Sequence, residues 1–301
     1  MTATYYFRVA GFPFSVSLPE ECDIEELLPS FFPFYETSLG AEEPLFRFFA
    51  VPLSQLPCSE TKELIDETDN DMGHLVLYAL SDGYYIEIIN NGHLHRMFAK
   101  SDFSSVEAHI QWDDVNAGNA LSSLIRVAYA QAILRHDAVS IHASAVFCNG
   151  QAYLFLGKSG TGKSTHSALW IENIPGTELL NDDNPTIRIL NGKAYAYGSP
   201  WSGKTACYKN VSFPVGGMVR LNQAPENSFQ LQEGADAFVA LYPGCSFIAR
   251  DEHLRNSLYD TLTVLAGSVT VGTLDCLPDK DAALMCNLSL IHISEPTRLR
   301  R

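Results

Sequence analysis

The chain predicts an α/β fold with a mixed sheet, preceded by an N-terminal β-rich region, and three observations carry that prediction. An apolar run, Gln151–Leu156, leads into a glycine-rich loop and then into a helix-compatible segment, Thr165–Asn173. Another apolar run, Ser144–Phe147, precedes it across Cys148-Asn149-Gly150, and Asn-Gly is the preferred two-residue hairpin turn. The residues before about position 100 are rich in β-branched and aromatic side chains, which suit a pleated, half-buried surface.

Tyr5–Val9, Phe46–Val51, Leu75–Ala79 and Tyr84–Ile89 read as strands, with Asp82-Gly83 as a hairpin turn between the last two. Glu20–Leu28, acidic and then leucine-rich, reads as a short helix. The aromatic patch Phe31, Phe32 and Phe34 behind it reads as core. Asp66–Asp71 lacks the central glycine and closing glutamate of a calcium loop and reads as a solvated loop. Ala117–Arg135 is the clearest helix: Leu121, Leu124, Ile125, Ala128, Tyr129 and Ile133 repeat near the helical period, and Asp114 or Asn116 is placed to cap it. The change from the β-rich region (1–115) to a second domain (116–287) is therefore set between Trp112 and Asn119. Beyond it, Thr186–Leu190 and Lys193–Ala196 flank a second Asn-Gly turn, Met218–Leu221 reads as a strand, Ala235–Leu241 and Leu254–Leu265 as helices, and Val269–Leu274 as a strand.

Composition narrows the function classes. With 301 residues, 46% hydrophobic and 18% charged, the chain has material for real cores. A formal charge of −15 argues against nucleic acid and anionic membranes as partners, since both need a basic surface. Seven scattered cysteines without a CxxC pair read as reduced thiols, and no run of about 18 apolar residues exists to span a membrane. No leader-like segment opens the chain, so a soluble, cytoplasmic protein is expected. The final stretch, Leu288–Arg298 (LSLIHISEPTR) and the three residues after it, resembles a translated sequencing adaptor. Residues 288–301 are accordingly expected to be artefactual, and His292 and Glu295 are set aside as site candidates.

The loop Gly157-Lys158-Ser159-Gly160-Thr161-Gly162-Lys163-Ser164 satisfies GxxxxGK[ST] in full, with a strand before it and a helix after it. Its glycines free the backbone to curl amides toward phosphates, and the helix start through Thr165 adds the positive end of its dipole. Lys163 is placed for the β and γ phosphates and Ser164 for magnesium. Downstream, Glu178-Leu179-Leu180 reads as a strand ending at Asn181-Asp182-Asp183-Asn184. Carboxylates at such a strand end serve metal orientation and proton acceptance in phosphoryl transfer.

Ile141-His142-Ala143, the hairpin, GKSGTGKS and Asn181-Asp182-Asp183-Asn184 together resemble the catalytic domain of HPr kinase/phosphorylase. That family shares its P-loop fold with phosphoenolpyruvate carboxykinase. The match spans roughly Ser140 to Leu190 and is weaker beyond. The resemblance implies ATP and Mg2+ as cofactors, Asp182 as general base, His142 adjusting that base or touching phosphate, and a metal role for Asp183. The loop Gly198-Ser199-Pro200-Trp201-Ser202-Gly203-Lys204 departs from the family signature, which puts HPr as substrate and the phosphorolysis activity in question. Lys204 there is a candidate second cation for the transferring group, and Arg220 a weaker one. His93 and His95, two apart, lack a third metal ligand. The expectation is an ATP- and Mg-dependent phosphotransferase acting on serine in a protein or peptide. A metabolite kinase, a carboxykinase-like enzyme and an inactive nucleotide-binding module stay as alternatives, and homo-oligomerisation stays open.

Overall fold

The protein is described from a computed structural model, which covers residues 1–57, 62–70 and 73–294. It contains two compact units, one from Met1 to Ile133 and one beginning at Leu134. Cys58 and Asp71 lie outside the described residues.

The first unit is a nine-stranded mixed sheet. Its strands are β1 (Thr2–Val9), β2 (Phe12–Pro19), β3 (Tyr35–Glu36), β4 (Arg47–Ala50), β5 (Glu63–Asn70), β6 (Gly73–Ala79), β7 (Gly83–Asn90), β8 (His93–Lys100) and β9 (Ser105–His109). They run in the order β3-β1-β2-β4-β9-β8-β7-β6-β5, parallel only at β2–β4 and β4–β9. Helices α1 (Ile24–Leu27) and α2 (Ala117–Ala132) complete the unit. Phe31 and Phe34 are buried and Phe32 is exposed, so the aromatic patch is two-thirds core.

Three expectations change here. The acidic stretch is not a loop: Glu63–Asn70 forms edge strand β5 on β6, and its carboxylates are what keep a sheet edge from pairing further. Helix α2 belongs to the first unit, not the second, so the division falls after Ile133. Its apolar face meets the sheet, where Tyr129 lies 6.2 Å from Phe14, which itself stacks on Phe46 at 4.8 Å. Neither proposed side chain caps α2: Asn116 makes no capping bond, and the Asp114 carboxylate accepts from the Asn116 amide and His95 Nε2 instead. His93 and His95 thus face a structural carboxylate, with His95 fully buried against it at 3.0 Å.

A second nine-stranded mixed sheet builds the other unit. It comprises β10 (Ala138–Ser140), β11 (Ala143–Cys148), β12 (Gln151–Leu156), β13 (Glu178–Asp183), β14 (Thr186–Leu190), β15 (Lys193–Tyr197), β16 (Ser212–Gln223), β17 (Ser228–Gln232) and β18 (Val271–Cys276). The order is β10-β14-β15-β16-β12-β11-β13, with β18 also on β16 and β17 on β18. Both Asn-Gly turns form as expected: Asn149 and Asn191 each sit at φ 51, the left-handed region that this turn type requires and Asn tolerates. Four helices accompany the sheet, α3 (Lys163–Asn173), α4 (Gly234–Leu241), α5 (Glu252–Ser268) and α6 (Lys280–Ser294). Helices α3 and α6 pack together over a core of Phe155, Trp170, Val219, Leu274, Cys286 and Leu290. Helix α6 is continuous through Asn287, and Leu290 within it is buried. Among the described residues, no helix is long and apolar enough to cross a membrane.

Candidate active site

Strand register gathers the candidate residues at one end of the second sheet. Ala143, the first residue of β11, pairs with Leu156 at the end of β12 on one side and with Asp183 at the end of β13 on the other. His142 precedes Ala143 and Gly157 follows Leu156, so histidine, loop and aspartate meet at neighbouring strand ends. Strand β13 runs through the aspartates rather than stopping before them. Along it a bulge at Leu180, where Val146 faces Leu179 but Ala145 faces Asn181, re-aims the residues beyond.

Loop 157–162 turns directly into α3. Gly162 holds φ 104, a conformation that only glycine adopts without strain, and the helix starts at Lys163 with no side chain capping it. Its first amides therefore face outward as donors. Compare α5, where Asp251 accepts from the Leu254 amide. Thr161 stiffens the loop through its hydroxyl and amide, both donating to the Lys158 carbonyl at 2.5 and 3.1 Å. Lys158, Ser159, Gly160, Ser164 and Thr165 lie at the surface, as a site that receives phosphate from solvent requires.

Lys163 is half-buried and turned onto its own loop, donating to the Gly157 and Lys158 carbonyls at 3.1 and 3.3 Å and to His142 Nε2 at 2.8 Å. Because an ammonium can only donate, Nε2 must accept, and the imidazole proton sits on Nδ1, which lies 3.0 Å from Asp183 Oδ1. A chain Lys163–His142–Asp183 results, with the Asn184 carboxamide donating to the other Asp183 oxygen. Burial pushes the Lys163 ammonium below its usual value, and the Asp183 and Asp182 charges pull it back up.

Asp182 sits apart from this chain. It is 3% exposed beneath loop 198–207, with Oδ2 accepting from the Thr205 amide at 3.2 Å and its carbonyl accepting from the Gly203 amide at 2.5 Å. A side chain on Gly203 would stand 2.7 Å from that carbonyl, so only glycine lets the loop lie this close. Asp182 Oδ1 has no hydrogen-bond partner among the described residues. Lys204 is exposed and makes no ion pair or hydrogen bond among the described residues, and Arg220 is directed to the Ala240 carbonyl at 3.5 Å. The structure thus joins Lys163, His142 and Asp183 directly, adds Asp182 one residue away, and leaves Lys204 and Arg220 outside the contact network.

Three groups that the sequence does not advertise complete the site. Asn181 is fully buried and bonds on both sides of the acidic turn. Gln223, at the end of β16, reaches the Gly160 carbonyl at 3.2 Å. Ser144 and Ser167 bond at 2.6 Å and tie β11 to α3. The Asn181–Trp201, Ser144–Ser167 and Gln223–Gly160 contacts join segments 20 to 63 residues apart, for which no local pattern exists.

A scan against protein-family models finds no match, and a search of curated proteins finds none. Among solved structures, the Hpr(Ser) kinase/phosphatase from Coxiella burnetii aligns at a TM-score of 0.31 and 12% identity, over 51% of this chain and 88% of that one. This is a weak resemblance, confined to the fold.

Proposed function

We propose that the chain is a phosphotransferase that uses Mg·ATP to phosphorylate a serine hydroxyl in a protein or peptide, in the manner of an HPr kinase catalytic domain. The observation that carries the reading is the continuous Lys163–His142–Asp183 chain at the mouth of an uncapped glycine-loop helix. A lysine held by carbonyls is ready to exchange them for phosphate oxygens, and the free first-turn amides of α3 add donors for the same charge.

For magnesium the donor set fits. The Ser164 hydroxyl and the Asp183 carboxylate are hard oxygen ligands, and waters and phosphate oxygens normally complete the shell. Among the described residues no group of three or more His, Cys, Asp or Glu forms a metal cluster, and this ion needs none. Bound magnesium would offset the charge on the phosphate oxygens. Asp182 Oδ1 takes the acceptor hydroxyl proton as the oxygen–phosphorus bond to the acceptor forms and the bond to the leaving diphosphate breaks. His142, its tautomer set by Asp183, holds Lys163 in register and keeps a lone pair rather than a proton toward it.

A small hydroxyl-bearing metabolite is the second reading of the acceptor, favoured by the 3% exposure of Asp182 under its loop. The test is transfer of label from γ-labelled ATP to a serine-peptide library and a metabolite panel, beside calorimetric titration with Mg·ATP. Wild type should bind and transfer, Lys163→Met should lose both, and Asp182→Ala should bind but not transfer. A folded wild-type chain that does not bind Mg·ATP sinks the proposal.

A further inference from the structure

Asn181 is a fully buried and heavily bonded polar residue of the second unit. Its side chain lies between the acidic turn and the loop that covers Asp182, with no exposure. The two hydrogens of the carboxamide nitrogen are shared among the Trp201 carbonyl at 3.0 Å, Ser199 Oγ at 3.2 Å and carbonyl at 3.3 Å, and the Cys207 carbonyl at 3.5 Å. The oxygen accepts from the Asn184 amide at 2.9 Å and the Asp183 amide at 3.2 Å. One face of the group therefore fixes the backbone of the aspartate turn, and the other fixes both ends of loop 199–207.

Between those two anchors the loop has little hold of its own. Gly203, Lys204, Thr205 and Ala206 are all exposed. Ser202 closes a local turn, donating to the Thr205 carbonyl and accepting from the Cys207 amide. Its contacts to the turn are the amides of Gly203 and Thr205 on Asp182 and a bridge between Ser202 and Asp183. With its crest exposed, the loop depends on these few contacts and on the fixing of its ends. A buried carboxamide is suited to that task, because a group with two donors and two acceptors can satisfy backbone groups from two segments at once.

We infer that Asn181 is a positioning residue: its carboxamide clamps loop 199–207 onto the acidic turn, which holds the Thr205 amide on Asp182 and sets that carboxylate for the acceptor hydroxyl. The inference rests on the phosphotransferase reading for its catalytic half. The clamp itself is a statement about the loop and has its own readout.

Lys204, at the exposed crest, makes that readout simple, because trypsin cuts after it. In the full-length chain under native conditions, Asn181→Ala should raise the rate of cleavage after Lys204 at least tenfold, with the appearance of a fragment beginning at Thr205. Its circular dichroism should match wild type. If Asn181→Ala does not fold, Asn181→Ser keeps a buried donor and carries the same comparison, with a smaller increase. In turnover, Asn181→Ala should lower kcat at least 100-fold and raise KM for Mg·ATP by a much smaller factor, the latter through the Asp183 amide that the same carboxamide holds. Thr205→Pro removes the amide on Asp182 Oδ2, together with the hydroxyl and the freedom of φ at that position, and should likewise lower kcat. Cleavage after Lys204 at the wild-type rate in a folded Asn181 variant overturns the clamp. Faster cleavage with unchanged kcat overturns the positioning role. Faster cleavage in a protein whose wild type transfers no phosphate keeps the clamp and removes the phosphotransferase reading instead.

Discussion

His166, one turn into α3, makes the stability of the second unit depend on acidity in a way that can be worked through. The imidazole is 3% exposed, accepts from Trp170 Nε1 at 3.1 Å, and meets Phe155 edge-on at 4.6 Å. Burial alone holds its pKa at about 4, against an ordinary value of 6.5. A neutral folded imidazole and a protonatable unfolded one mean that the unfolded chain binds more protons below pH 6.5. Stability from this group is therefore complete above the unfolded value and is lost as pH falls toward the folded one. A tenfold difference in proton affinity between folded and unfolded chain is worth about 1.4 kcal/mol, so roughly 3 kcal/mol disappears by about pH 4, and about 2 kcal/mol of it by pH 5. His166→Gln keeps an acceptor for Trp170 and removes the titration. Urea unfolding at pH 7 and pH 5, followed by tryptophan fluorescence, measures the difference. With a slope of about 2 kcal/mol/M, the wild-type midpoint should fall about 1 M further than that of the variant. Other histidines whose burial lowers their pKa, His95 and His136 among them, act equally in both proteins and cancel. Equal midpoint losses in the two proteins would refute the assignment.

Three more outcomes follow from named contacts. Asp183→Asn removes the charge that most opposes the depression of Lys163, so nucleotide affinity should begin to fall at lower pH than in wild type; turnover should drop about 10²- to 10⁴-fold with the imidazole tautomer released, as label transfer would show. Trp170→Ala empties a fully buried site beside Tyr153 and Phe155 and should cost about 3–5 kcal/mol in urea unfolding. Asn149→Ala puts an ordinary side chain at φ 51 and should cost about 1 kcal/mol, leaving Mg·ATP affinity unchanged.

Local chemistry made the strand–loop–helix around residue 160 readable, because hairpin turn, glycines and helix start all lie within one contiguous run. The same reading names no strand over Phe12–Pro19. Phe14-Ser15-Val16-Ser17-Leu18 does alternate apolar and polar residues, but Pro13 and Pro19 at its ends speak against a strand until its pairing is known. Periodicity also revealed the apolar face of α2 without saying which sheet it covers. Tyr129 reaching the Val9 carbonyl at 3.4 Å, across 120 residues, is a fact of tertiary packing.

The same distinction runs through the site. His142, Lys163 and the aspartates were legible as residue types at suggestive spacings, and register does bring His142, Gly157 and Asp183 to adjacent strand ends. Which aspartate meets the histidine was not legible, because it depends on where the bulge at Leu180 turns the residues beyond it. Asp183 took the histidine, and Asp182 took the loop. Asp182 is covered by a loop, and Lys163 is folded back on the carbonyls of its own loop. In the proposed reaction, phosphate oxygens must draw Lys163 off Gly157, and the acceptor must reach Asp182 past Gly203. The two movements concern different segments, 157–163 and 199–207, joined through Asp182 and Asp183 on one rigid strand end. On the proposed reading, filling the first without disturbing the second would hold nucleotide until an acceptor arrives.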